Sequence, residues 1–130
     1  MSKLVEALQA RDTSAIDALL AGDVVFRSPV RTYRDRRDVV HLLSTIAHLF
    51  QGISQARSWP GRDGVATFVE IDTGAEPLDG VVEEIHNDRG LVVEVTLMLR
   101  PLGAVLPAVQ RMGQALEAAP LPSGTDFTGP

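Results

Sequence analysis

Apolar and polar positions follow a helical period at both ends of this chain and a period of two through its middle. Leu4, Val5 and Leu8 stand at helical spacing behind Ser2, an acceptable N-cap, which predicts a first helix over 2–10. Asp12, Thr13 and Ser14 interrupt it, and Ile16, Leu19 and Leu20 then share one face of a short second helix with Gly22 at its C-cap. Val24, Val25 and Phe26, closed by Ser28 and Pro29, read as a strand running into a loop. From 35 to 50 the spacing of Val39, Leu43, Ile46 and Phe50 predicts a longer amphipathic helix, which Gly52 stops.

Beyond Gly52 the pattern changes to strands. Residues 54–59 are a weak strand candidate ending in the turn PGRDG, and VATFVEID over 65–72 is a clear strand. VVEEIH (81–86) and LVVEVTLML (91–99) flank NDRG, whose residues tolerate positive φ, so these two strands form a hairpin. Pro101 opens a last helix with Leu102, Val105, Leu106, Val109, Met112 and Leu116 on an apolar stripe, and Pro107 is expected to kink it. Residues 119–130 carry three Pro and two Gly, the composition of a disordered tail, which leaves a single domain over 1–118. The element order, helices before and after a run of hairpin-linked strands, indicates an α+β fold with helices on one face of a curved sheet.

At 130 residues and 45% hydrophobic content, the chain can bury a core without staples. Having no cysteine, it has no disulfide, no thiolate nucleophile and no cysteine-ligated zinc or iron–sulfur site. The net charge is −5, and the one basic cluster (Arg31, Arg34, Arg36, Arg37) is interrupted by Asp35 and Asp38. Nucleic-acid binding needs an uncompensated basic face and is set aside; an anion clamp is the functional reading of the cluster and a solvated loop the favoured one. The N-terminal residues do not read as a signal peptide, and no stretch approaches the roughly 18 apolar residues of a membrane span, so a soluble, cytoplasmic protein without membrane association is expected. His41 and His48, seven apart on the long helix, lack the spacing of a ligand pair, so neither a metal nor a cofactor is expected.

Three passages in this order are similar to the ketosteroid isomerase, SnoaL-like polyketide cyclase and nuclear transport factor 2-like superfamily. They are EALQARDTSAIDALLAGDVVFRSPV, the Tyr33 to Val40 entry to the long helix, and NDRGLVVEVTLMLRPL. The resemblance covers residues 4 to about 116. It implies a cystatin-like α+β barrel: a cone-shaped, strongly curved antiparallel or mixed sheet with N-terminal helices on its concave face. It also implies a pocket for a small hydrophobic molecule and a homodimer through the outer sheet face. The general base of the isomerases would fall at Ser28, their oxyanion-hole Tyr near Leu4 and their protonated Asp near Val82. All three positions lack the ionisable group, which makes the standard isomerase mechanism unexpected.

Other acids and bases then become the candidates. Strand alternation puts Glu84 and His86 on the side of Val82, and an inward Glu84 would serve as general acid or base, with Glu83 in its place if the register slips by one. Glu70 and Asp72 share a strand face, either an acid–base pair or a solvated surface, and His48 is a third catalytic candidate or a helix-surface imidazole. Ser28, Tyr33, Trp59, Val82 and Leu97 are the expected ligand contacts. Two functions stay open: an isomerase, cyclase or hydratase acting on a hydrophobic metabolite through Glu84, Glu70 or His48, and a non-catalytic ligand-binding or dimeric interaction module of the same fold.

Overall fold

The computed structural model describes residues 2–127. Two short helices, α1 (Lys3–Gln9) and α2 (Thr13–Leu19), lead into strand β1 (Leu20–Arg27) and the two-residue β2 (Thr32–Tyr33). Helix α3 (Arg36–Leu49) follows, then four strands, β3 (Gly52–Pro60), β4 (Gly64–Asp72), β5 (Leu78–His86) and β6 (Val92–Arg100), and finally α4 (Leu102–Ala118). All six strands form one sheet in the order β2-β1-β6-β5-β4-β3, antiparallel except where β1 lies parallel to β6. The α+β class and the mixed, curved sheet are as expected, and the sheet stays open, with β2 and β3 at its edges, rather than closing into a barrel. No helix among the described residues is long and apolar enough to cross a membrane.

The sheet curves because its ladders are irregular at three places, between Leu20 and Val25, between Gln55 and Arg57, and between Ile85 and His86. Its concave side is largely apolar by alternation, with Thr67 and Glu84 its buried polar exceptions on β4 and β5. Val69 and Ile71 on β4, Leu78 and Val82 on β5, Val95 on β6 and Phe26 on β1 are buried, joined by Leu42, Leu43 and Ala47 from α3 and by Leu4, Val5 and Leu8 from α1. Capping follows the sequence expectation at α1, where the Ser2 hydroxyl accepts from the Val5 amide at 3.0 Å. At α3 the Asp35 carboxylate accepts from the Arg37 amide, and the Arg37 guanidinium holds that carboxyl below the usual range.

Two expectations are corrected. Gly22 is not a helix cap: α2 ends at Leu19 and β1 already begins at Leu20, because Leu20 pairs with Val92 of β6. Residues 119–127 are not a loose tail. Leu121 and Phe127 are buried, and the Asp38 carboxylate accepts from the Ser123 amide at 3.0 Å and the Ser123 hydroxyl at 2.5 Å. The remaining residues of that expected tail, 128–130, lie outside the described residues. Three of the four arginines of the basic cluster make contacts within the chain around the loop and the start of α3, which agrees with the favoured reading of the cluster rather than with a clamp. Arg36 pairs with Asp17 at 2.7 Å, Arg37 with Asp35 at 2.9 Å, and Arg31 donates to the Asp126 carbonyl at 2.9 Å.

Gly80 on β5 pairs with Leu99 of β6 and has no room for a side chain. A Cβ there would run into the backbone carbonyl of Met98, a group that cannot move without breaking the ladder. Gly80→Ala is expected to lower unfolding free energy by about 2 kcal/mol or more in a urea titration. A loss below about 0.5 kcal/mol would mean that the two strands separate without cost at this point.

Candidate functional site

The end of β1 builds one wall of the site. The Ser28 hydroxyl donates to the Arg31 carbonyl at 2.8 Å and accepts from the Val30 and Arg31 amides, each at 3.1 Å. Its hydrogen-bonding capacity is spent on shaping its own turn. Behind it lies an apolar cavity of about 50 Å³ between the concave sheet face, α3, α4 and the C-terminal segment. Phe26, Leu97, Leu99, Ile46, Met112 and Phe127 are among its walls, and the hydroxyl of Ser28 is the one side-chain polar group in them. A second cavity of about 20 Å³, walled by Val5, Leu8, Val82 and Val95, continues toward the closed end of the cone and shares Phe26, Ile46, Ile71 and Leu97 with the first. Small-molecule pockets usually enclose about 300–1,000 Å³. In this conformation the cone is therefore nearly filled by its own side chains.

Of the residues singled out in the sequence, Ser28, Val82 and Leu97 line these cavities. Tyr33 does not. It is buried against Phe26, with ring centroids 6.3 Å apart, and its hydroxyl donates to the Phe127 carbonyl at 3.1 Å. Leu4 is buried in the core without lining either cavity. Trp59 is half exposed on the outer sheet face, where Arg57 stacks on it, and so makes no part of the cone.

The acids and bases divide by strand alternation. Glu70 is exposed on the outer face, opposite the buried Val69 and Ile71, so the expected Glu70–Asp72 pair is a solvated surface. His48 is exposed on α3, bonded to the Ser44 carbonyl at 2.8 Å and bordering an open surface groove with His41 rather than the cone. Glu84 does face inward and is only 1% exposed, but it lies at the closed end and walls neither cavity. Its carboxylate accepts from the Ser2 hydroxyl and lies 3.3 Å from His86 Nε2. Ser2 therefore serves two partners at once, capping α1 and tying that helix end to β5. The positive end of the helix dipole suits the buried carboxylate there. Among the described residues no group of three or more His, Asp or Glu side chains is placed to hold a metal ion.

The sequence gives no sign of the cavity's C-terminal wall, because Phe127 sits in a stretch rich in Pro and Gly. The only local hint is that Leu121 and Phe127 are the two large apolar side chains of that stretch.

Burial raises the Tyr33 phenol from 10.0 to about 12. The folded state thus holds this proton more tightly than the unfolded chain does. The resulting stabilisation is fully present below about pH 10 and is lost as pH rises through about 12. Tyr33 is the chain's one tyrosine, so tyrosinate absorbance reports it alone. Its ionisation is expected to coincide with alkaline unfolding rather than precede it, and a reversible ionisation near pH 10 in the folded protein would show that the ring is open to water.

No family model and no curated protein matches the chain. Solved structures do. A Silicibacter pomeroyi protein described as uncharacterised with a cystatin-like fold superposes with a TM-score of 0.84 at 24% identity, over 90% of this chain and 84% of that one. A steroid delta-isomerase from Pseudomonas aeruginosa gives a TM-score of 0.81 at 25% identity, over 88% and 86%. A nuclear transport factor 2-like protein of unknown function from Cytophaga hutchinsonii gives 0.66 at 10% identity, over 79% and 88%. The chain therefore has the cystatin-like fold of the superfamily that holds ketosteroid isomerase, nuclear transport factor 2-like and polyketide cyclase structures.

Proposed function

We propose that this protein is a non-catalytic binding module that holds a small, uncharged hydrophobic molecule in the cone and works as a homodimer. The observation that carries the binding reading is the composition of the cavity wall: apolar side chains throughout, with one hydroxyl already committed to its own turn. Proton-transfer chemistry needs an acid or base within hydrogen-bond reach of the reacting atom. Glu70 and His48 are on the outside, and Glu84 is engaged by Ser2 at the closed end. The names of some structural neighbours favour an enzyme of the isomerase or cyclase type, and a catalytic Glu84 is the form that reading would take here.

The dimer rests on the outer sheet face. Arg57, Phe68, Val81 and Met98 are paired in register across β3, β4, β5 and β6, with Trp59 beside them. Trp59 is 50% and Met98 56% exposed, and the Arg57 guanidinium lies over the Phe68 ring at 4.5 Å. An apolar row of this kind, bordered by Glu70, Asp79 and Arg100 on one side, suits a self-complementary interface between two copies.

Native mass spectrometry of protein purified without denaturation is expected to show a co-purifying uncharged apolar molecule, or its uptake when a hydrophobe is added. Glu84→Gln is expected to change stability while leaving that uptake within about twofold, since it alters no cavity wall. Turnover of any steroid or polyketide substrate that this variant abolishes would replace the binding reading with the enzymatic one. Light scattering is expected to give a dimer that Met98→Glu converts to monomer, and a wild-type monomer would remove that part of the proposal.

A further inference from the structure

The binding reading leaves a cavity too small for most ligands, and what reduces it is the end of the chain itself. After α4 the backbone turns at Gly124, whose φ of +81 is reserved largely for glycine, and the Gly124 amide donates to the Leu121 carbonyl at 3.0 Å. The segment then crosses the mouth of the cone. It is held by the buried Leu121 and Phe127 side chains and by polar contacts that include Ser123 to Asp38, Tyr33 Oη to the Phe127 carbonyl, and Arg31 to the Asp126 carbonyl. Most of its residues are exposed, while the Phe127 ring points into the same apolar space that Phe26, Val30, Leu97 and Met112 enclose.

Resting on that binding reading, we infer that residues 120–127 are a strap whose Phe127 ring occupies the ligand site, and that an uncharged hydrophobe of about one ring displaces it. The walls decide the ligand class. They offer no charge and no unspent hydrogen-bonding group, so nothing in them would repay the desolvation of an ionic or strongly polar molecule. The space freed is one phenyl ring added to the existing cavity of about 50 Å³, which suits a monocyclic compound rather than a fused polycycle.

The strap is also built to leave. Asp38 is 2% exposed, and the bonds from Ser123 are its contacts with the strap. When the strap lifts, that carboxylate meets water, so its hydrogen bonds are exchanged rather than abandoned. The buried Leu121 and Phe127 are then left to be compensated, and an aromatic ligand in the place of the Phe127 ring restores that ring's apolar contacts.

Toluene is a suitable probe, followed by amide chemical shifts and hydrogen exchange in the wild type, Ser123→Ala and Phe127→Ala. Ser123→Ala loosens the strap without enlarging the cavity, so it separates gating from simple space. The expected result is binding to the wild type, roughly tenfold tighter binding to Ser123→Ala because more of the protein is open beforehand, and binding at least as tight to Phe127→Ala. Toluene should also speed exchange of the Ser123, Gly124 and Thr125 amides in the wild type, all of which are hydrogen-bonded in the closed strap, while β6 stays protected. Equal affinity in the wild type and Ser123→Ala, or binding that leaves those three amides protected, would overturn the strap and leave the binding reading standing. Failure of all three proteins to bind toluene would remove both.

Discussion

A sheet bent strongly toward one face creates a concave surface that one helix cannot cover, and the rest of this molecule answers that constraint. The bend comes from three irregular ladder positions, and strand alternation then loads the inner face with Phe26, Val69, Ile71, Val82 and Val95. Helix α3 lies along the cone and α1 closes its narrow end. What remains is the wide end, where α4 and the C-terminal segment meet β1 and β6. The function of the protein turns on how that last opening is filled.

The two ends of the cone are closed by different physics. At the narrow end the buried Glu84 is held by Ser2, whose hydroxyl is also the α1 cap, so removing either group would leave a buried polar atom without its partner. That closure is locked. At the wide end the polar groups that hold the closing segment include the Asp38 carboxylate and the Tyr33 phenol, both buried beneath it, which water can serve once the segment lifts. A fold with one locked and one exchangeable end has a defined direction of entry.

Much of this architecture was legible in the sequence, and the limits of that legibility have a common cause. The hairpin around NDRG, the Ser2 cap and the long third helix depend on neighbours in the chain, and they stand as expected. Strand alternation also put Glu84 on the same side as Val82 correctly. It could not give depth along the strand, so it did not reveal that Glu84 lies beyond the cavity. β1 begins early because Leu20 finds a partner in Val92, more than seventy residues away, and no local pattern records that pairing. The same holds for Ser123 and Asp38. Pro and Gly around residues 120–124 lower local order on composition alone, while the contact that fixes them is non-local.

Ser28 and Val82, where the resemblance would place ionisable groups, also take on a physical meaning once the walls are known. Both border the cavities, so the side chains present there set the chemistry of the walls. A carboxylate in either place would sit among Phe26, Leu97 and Ile71 and would need water or a cation near it to stay charged. With Ser28 folded back on its own turn and Val82 apolar, that requirement disappears, and an apolar ring can be packed against the same walls. The absence of ionisable side chains from these walls and the seating of Phe127 are therefore compatible parts of one arrangement: a cone whose walls hold no charge can be closed by a hydrocarbon.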